Sequence, residues 1–258
     1  IRVAERMQET DGQGLDAIGA YHIFHPKKII LTDIHPQVVP IVKQNFLAAV
    51  ADPAVQLDAY VGNLCQPLQE HSVTADIIYA NLPNIPLDGT GAAFGGQLTS
   101  TFFDKRWISH VPLSFQRYLL GMQYAFLSDA SHCLASGGSV IINLGGRMPI
   151  TLVKKMFQTT GYTCEELFVM LKEQSQPEWV LGGYARAEKK HGVTFDFYRL
   201  EAAEKMLGSR LTDERLSAAA LKRLLKPVRL SATQALKRFL YASERIGHIV
   251  EVIHGVKK

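Results

Sequence analysis

The sequence has no apolar run near the roughly 20 residues that a membrane span requires. Its β-branched runs, such as residues 29–31 and 140–142, are far shorter. Cysteine is scarce: Cys65, Cys133 and Cys164 stand far apart with no CxxC pair. This points away from a disulfide framework and a zinc site, and suits a reducing, cytoplasmic setting. Residues 1–10 are charged and lack the apolar centre of a secretory signal. Repeats and low-complexity tracts are missing as well, which leaves neither a solenoid nor a disordered chain. What is present is 258 residues at 47% hydrophobic and 20% charged, enough for one sizeable core and an appended subdomain. The net charge of +4 comes from residues 201–258, which hold 12 Lys/Arg against 6 Asp/Glu.

From Gly12 to Leu200 short β-branched runs alternate with helical patterns, the signature of an α/β protein with a mostly parallel sheet. Strands are expected at 28–32, 56–61, 76–80, 139–144, 167–172 and 193–200, and helices at 37–50, 116–135 and 150–160. Residues 2–8 read as too charged for a buried strand. The Gly-, Thr- and Ala-rich residues 87–100 follow a strand end where such sheets open their crevice, and read as a substrate lid. Residues 201–258 read as a separate, basic helical appendage with helices at 201–207, 212–225 and 232–243.

Two motifs carry chemistry. In Asp11-Gly12-Gln13-Gly14, followed by the helical Leu15 to Ala20, glycines at a strand-to-helix turn let the backbone approach a ligand. Asp33 stands 19 residues after Gly14 at a strand end, where a carboxylate accepts ribose hydroxyl hydrogen bonds. Together they describe a nucleoside site. In Asp76-Ile77-Ile78-Tyr79-Ala80-Asn81-Leu82-Pro83-Asn84-Ile85-Pro86, the prolines halt a buried strand and leave Asn81 at the carboxyl edge of the sheet.

With these motifs the chain resembles the class I S-adenosylmethionine-dependent methyltransferases, including the branch with an Asn-Pro-Pro-Tyr-type motif. The resemblance implies a Rossmann-like sheet with an antiparallel last strand, assigned to 193–200, and S-adenosyl-L-methionine as cofactor. It places Gly12 and Gly14 at the methionine part, Asp33 at the ribose, Ile34 and Asn63 at the adenine, and Asn81, Leu82 and Pro83 at the methyl-transfer centre. A narrower resemblance, to the methyltransferase domain of methionine S-methyltransferases, rests on the Gly14 to Asp33 spacing, on Asn143-Leu144-Gly145-Gly146-Arg147 and on the following helix with Gly161-Tyr162. The bland reading of that segment is a tight Gly-Gly turn with a solvated Arg147. Thr10 stands where the family has its first glycine, Asn63 where an acidic residue is commoner, and Asn84 where amino-methylating relatives carry an aromatic. The last departure argues against adenine or glutamine as acceptor.

The expected reaction moves a methyl group to a sulfur or nitrogen acceptor without a metal. A small-molecule acceptor is favoured over a protein or nucleic acid, and no membrane contact is expected. Two alternatives stand beside this reading. An NAD(P)-dependent oxidoreductase would also use the glycine turn and Asp33. A non-catalytic domain could dock a partner through Lys222, Arg223, Lys226, Arg229, Lys237 and Arg238.

Overall fold

The computed structural model describes residues 14–50, 52–87, 101–208 and 216–258, and the backbone of residues 2–6. The segment whose charge argued against a buried strand is β1 (Arg2–Arg6), and its backbone pairs in parallel with strands on both sides. Main-chain pairing on two edges settles its place, and side-chain polarity does not report it. Then come α1 (Leu15–Phe24), β2 (Lys28–Asp33), α2 (Val38–Ala49), β3 (Gln56–Val61), α3 (Gln66–Glu70) and β4 (Ala75–Asn81). On β2, Ile29 and Leu31 pack with Val42 and Phe46 of α2, while Ile30 joins a core cluster with Ile78 and Phe126. The alternation buries both faces of the strand, as a parallel sheet requires.

Pro83 and Pro86 end β4, and the chain leaves the sheet to form a two-stranded parallel ribbon from β5 (Ile85–Leu87) and β6 (Phe102–Asp104). The expected lid falls almost entirely on residues 88–100, outside the described residues. The long helix expected at 116–135 is instead α4 (Leu113–Arg117) and α5 (Gly121–Ala130). Leu119 separates them at φ 57°, a left-handed conformation no helix continues through. Next come β7 (Leu134–Gly145), α6 (Ile150–Thr159) and β8 (Glu165–Glu173).

The sequence reading passed over α7 (Pro177–His191), although its punctuation is regular: Pro177 at the first turn and Gly192 beyond the last, at φ 63°. The remainder is β9 (Phe197–Arg199), α8 (Leu200–Leu207), α9 (Ala218–Leu224), β10 (Arg229–Leu230), α10 (Ala232–Ala242) and β11 (Ile246–Val256). A capping box between Ser231 and Gln234 starts α10.

The sheet order is β10-β9-β11-β7-β4-β1-β2-β3, with β8 pairing β11. The central strands β3, β2, β1, β4 and β7 are parallel, and β11 runs antiparallel to β7 and β8. The protein is therefore an α/β fold with a mostly parallel sheet and an antiparallel last strand. That strand is β11 and not residues 193–200, of which only Phe197–Arg199 is strand. The aromatics that suggested a strand there bury Phe195 and Phe197 edge-on against Tyr184 of α7. Residues 201–258, expected as a helical appendage, thus also supply a strand of the main sheet. Among the described residues, no helix is long and apolar enough to cross a membrane.

Candidate active site at the carboxyl edge of the sheet

The parallel strands β3, β2, β1 and β4 lie side by side, so the residues following each of them gather along one edge. Neighbouring strands are about 4.8 Å apart, so this edge spans about 14 Å from β3 to β4. Gly14 precedes α1 at φ 78°, ψ 18°, and among the described residues no side chain caps the helix start. A Cβ on Gly14 would lie 3.1 Å from Val42 Cγ1, so both conformation and space favour glycine. Gly12 lies outside the described residues.

Asp33 ends β2 and is 2% exposed. Its Oδ1 accepts the backbone N–H of His35 at 2.7 Å, and its carbonyl accepts the N–H of Gly62 at 2.8 Å. The second bond ties the β2 end to the β3 end. Ile34 and Asn63 are half-buried, and the Asn63 carbonyl caps the next turn by accepting Gln66 N–H at 3.0 Å. Asn81 is the last residue of β4 and pairs in register with Asn143 of β7, while Leu82 and Pro83 are buried. Asn84, at the aromatic position of the resemblance, accepts a hydrogen bond from the side-chain amide of the buried Gln123.

Beside Asn81, Leu82 and Asn84 a cavity of about 170 Å³ opens, walled by β7, β8, α7 and β11. It adds polar residues that the sequence reading did not assign: Lys172, Gln174, Tyr184 and His248. They come from β8, α7 and β11, and no local motif announces them. Arg147, whose bland reading was a solvated side chain, is 5% exposed and lines this cavity. Its Nη2 donates to Gln174 Oε1 at 2.6 Å and its Nη1 to Tyr184 Oη at 3.4 Å. The guanidinium also lies over the rings of Tyr184 and Phe197, 4.9 and 5.4 Å from their centroids. Burial lowers its pKa from the ordinary arginine value while Tyr184 opposes the shift. A guanidinium still keeps its proton. Burial, with Arg147 and Lys172 adding to it, holds His248 well below the ordinary histidine value, so its imidazole is neutral.

The Gly145-Gly146 turn makes room for these groups. A Cβ on Gly145 would fall on Arg147 Nη1, and one on Gly146 would stand 2.2 Å from Glu251 Oε1 and 3.0 Å from its Cδ. Gly146→Ala is expected to lower stability by about 1–3 kcal/mol through overpacking, read as a lower urea midpoint.

Phe102, Phe103, Trp107 and Tyr118, which follow the Gly-rich segment, do not line this cavity. All four pack in hydrophobic clusters, and Phe102 also borders a second cavity of about 230 Å³ beside α7. Cys65 and Cys133 are buried packing residues, with Cys133 Sγ 3.8 Å from the Cys65 carbonyl. Among the described residues, no group of three or more His, Cys, Asp or Glu is placed to hold a metal.

No protein-family model matches the chain, and no curated protein does. Among solved structures, it is similar to a protein described as a candidate methyltransferase from Bacillus halodurans C-125, at 12% identity and TM-score 0.47 over 99% of this chain and 92% of that one. It is also similar to a methyltransferase from Pyrococcus furiosus, at 17% identity and TM-score 0.41 over 67% and 68%. A third is phosphoethanolamine N-methyltransferase 2 from Haemonchus contortus, solved with phosphomonomethylethanolamine and S-adenosylhomocysteine. There the identity is 11% and the TM-score 0.38, over 99% of this chain and 49% of that one.

Proposed function

We propose that the protein is an S-adenosylmethionine-dependent methyltransferase acting on a small molecule through sulfur or nitrogen. The observation that carries this reading is the alignment of Asn63, Asp33, Gly14 and Asn81 along one sheet edge, with a polar cavity directly beyond Asn81. The residues fit an adenosyl cofactor. The start of α1, which no described side chain caps, offers backbone N–H groups and a positive dipole end to a carboxylate. Asp33 stands where a ribose is held, and Ile34 and Asn63 flank the adenine position. When bound, the cofactor supplies an electrophilic methyl group on a sulfonium.

The chain's own contribution is alignment. Asn81 orients the acceptor through its side-chain carbonyl and, with the Leu82 backbone carbonyl, stabilises positive charge growing on a nitrogen nucleophile. The buried Leu82 and Pro83 hold that wall rigid and keep water from it. A small acceptor suits a cavity below the 300–1,000 Å³ of drug-sized pockets. The basic C-terminal residues are partly engaged within the chain: Lys222 and Arg229 with Asp196 and Arg238 with Glu244, which weakens the case for a nucleic-acid surface.

Calorimetric titration with S-adenosylhomocysteine, with NADH as control, tests the reading. Micromolar binding of the first alone is expected. Binding of NADH alone would replace it with the oxidoreductase reading. Asp33→Ala is expected to weaken S-adenosylhomocysteine about 10- to 100-fold, the loss of charge-assisted hydrogen bonds of about 1.5–3 kcal/mol. Unchanged affinity would remove the ribose assignment.

A further inference from the structure

The cavity beyond Asn81 holds a buried cation with no counter-charge among the described residues. Every polar partner of the Arg147 side chain is neutral: Gln174 and Tyr184 accept from it, the aromatic faces lie beneath it, and its buried Nε–H has no acceptor. Burying a guanidinium costs several kcal/mol unless an anion faces it. Lys172 lines the same cavity, and among the described residues it makes no ion pair and neither an Asp nor a Glu lines the cavity. His248 is 6% exposed, and its Nδ1 is buried without a partner. A neutral imidazole there adds a hydrogen-bonding group without a third positive charge.

The turn is shaped around this cation. Gly145 leaves space that a Cβ would take from Nη1, and the Arg147 carbonyl is fixed by Asp196 N–H at 2.8 Å. A side chain anchored at both ends and left without a carboxylate is prepared for one that arrives with a ligand. The cavity has room for about five or six water-sized groups, which suits a short acid and not a nucleotide.

We infer that this cavity binds a carboxylate carried by the acceptor, with Arg147 as its buried anchor and Lys172 as a second charge at the rim. The inference deepens the methyltransferase reading and names the acceptor as a small carboxylic acid whose nucleophilic atom is directed toward Asn81. One guanidinium fork matches one planar carboxylate. A phosphate dianion would present a third oxygen that the neutral His248 meets with less charge.

Butyrate, its uncharged isostere butyramide, and inorganic phosphate are the probes, with the Arg147 Nε–H resonance as reporter, in the presence and absence of S-adenosylhomocysteine. Butyrate is expected to shift that resonance with a dissociation constant of about 1–10 mM. Butyramide should leave it in place, and Lys172→Ala, a change at an exposed side chain, should weaken butyrate several-fold. Arg147→Lys keeps the charge and loses the fork. Followed through the His248 ring resonances, because the Arg147 signal is gone, it is expected to weaken butyrate at least tenfold while S-adenosylhomocysteine affinity stays unchanged. Equal responses to butyrate and butyramide, or none to butyrate, would overturn the subsite. A response to phosphate alone would overturn its assignment to a carboxylate. Butyrate binding without any S-adenosylhomocysteine binding would uphold the subsite and reject the methyltransferase reading, and the reverse would do the opposite.

Discussion

Asn81→Ala is expected to lower turnover on a nitrogen acceptor about 100-fold or more, with S-adenosylhomocysteine affinity within about threefold of the parent. Removing one preorganised transition-state partner costs about 100- to 1,000-fold in other enzymes. The geometry supports a loss confined to turnover. Asn81 closes β4, its backbone remains paired with Asn143 of β7, and its side chain borders the acceptor cavity two strands away from Asp33. The half-buried position tolerates truncation, and a thermal melt confirms folding. Turnover is followed as S-adenosylhomocysteine release. A fall of less than fivefold would reject a nitrogen nucleophile aligned by Asn81 and favour a sulfur acceptor, which sheds no proton.

Stability is expected to depend on pH through Glu251, with a sign opposite to that of ordinary acid denaturation. Glu251 is 1% exposed on β11, its Oε1 has no hydrogen-bond partner, and it faces Gly146. Burial pushes its pKa from 4.5 up to about 7, with Lys222 lowering it and Glu166 raising it. Between these values the folded chain holds a proton that the unfolded chain has released. Stability therefore falls as pH rises from about 4.5 to about 7, by about 3 kcal/mol at 1.36 kcal/mol per unit. His248 acts in the other direction: its folded pKa lies below 6.5, so its contribution to stability grows as pH rises toward 6.5. The two partly offset each other in the parent protein, and the difference against Glu251→Gln isolates the carboxyl. Urea denaturation should show the variant ahead by about 3 kcal/mol at pH 8 and level with the parent near pH 4.5. A constant difference across that range would place the Glu251 proton elsewhere.

The residues proposed to hold the cofactor are marked by local sequence because they follow one another at strand ends: Gly14 before α1, Asp33 after a buried β-branched run, and Asn81 where two prolines stop β4. The residues lining the cavity carry no such mark, since Arg147, Lys172, Tyr184 and His248 meet only when four distant segments pack together. Arg147 shows the limit most clearly. An arginine after two glycines reads as a solvated turn, and only the aromatics of α7 and β9 above it reveal that it is buried. The last strand was misplaced for a related reason. In β11, Gly247, His248, Glu251, His254 and Gly255 break up the apolar alternation, whereas the aromatics Phe195, Phe197 and Tyr198 stand out around the three-residue strand β9 and pack against helices.

The position of β11 also sets an order of events. It lies between β7 and β8, yet the chain makes both of those strands, then helices α7 to α10 and the β9 and β10 strands before reaching Ile246. Until β11 arrives, β7 and β8 each present an open edge, the condition in which a strand pairs with whatever strand is nearest. The Arg147 wall and the Lys172 wall are held together by that same arrival. A chain caught partway through folding therefore lacks the walled cavity beyond Asn81, which exists only after the sheet's last seam has closed.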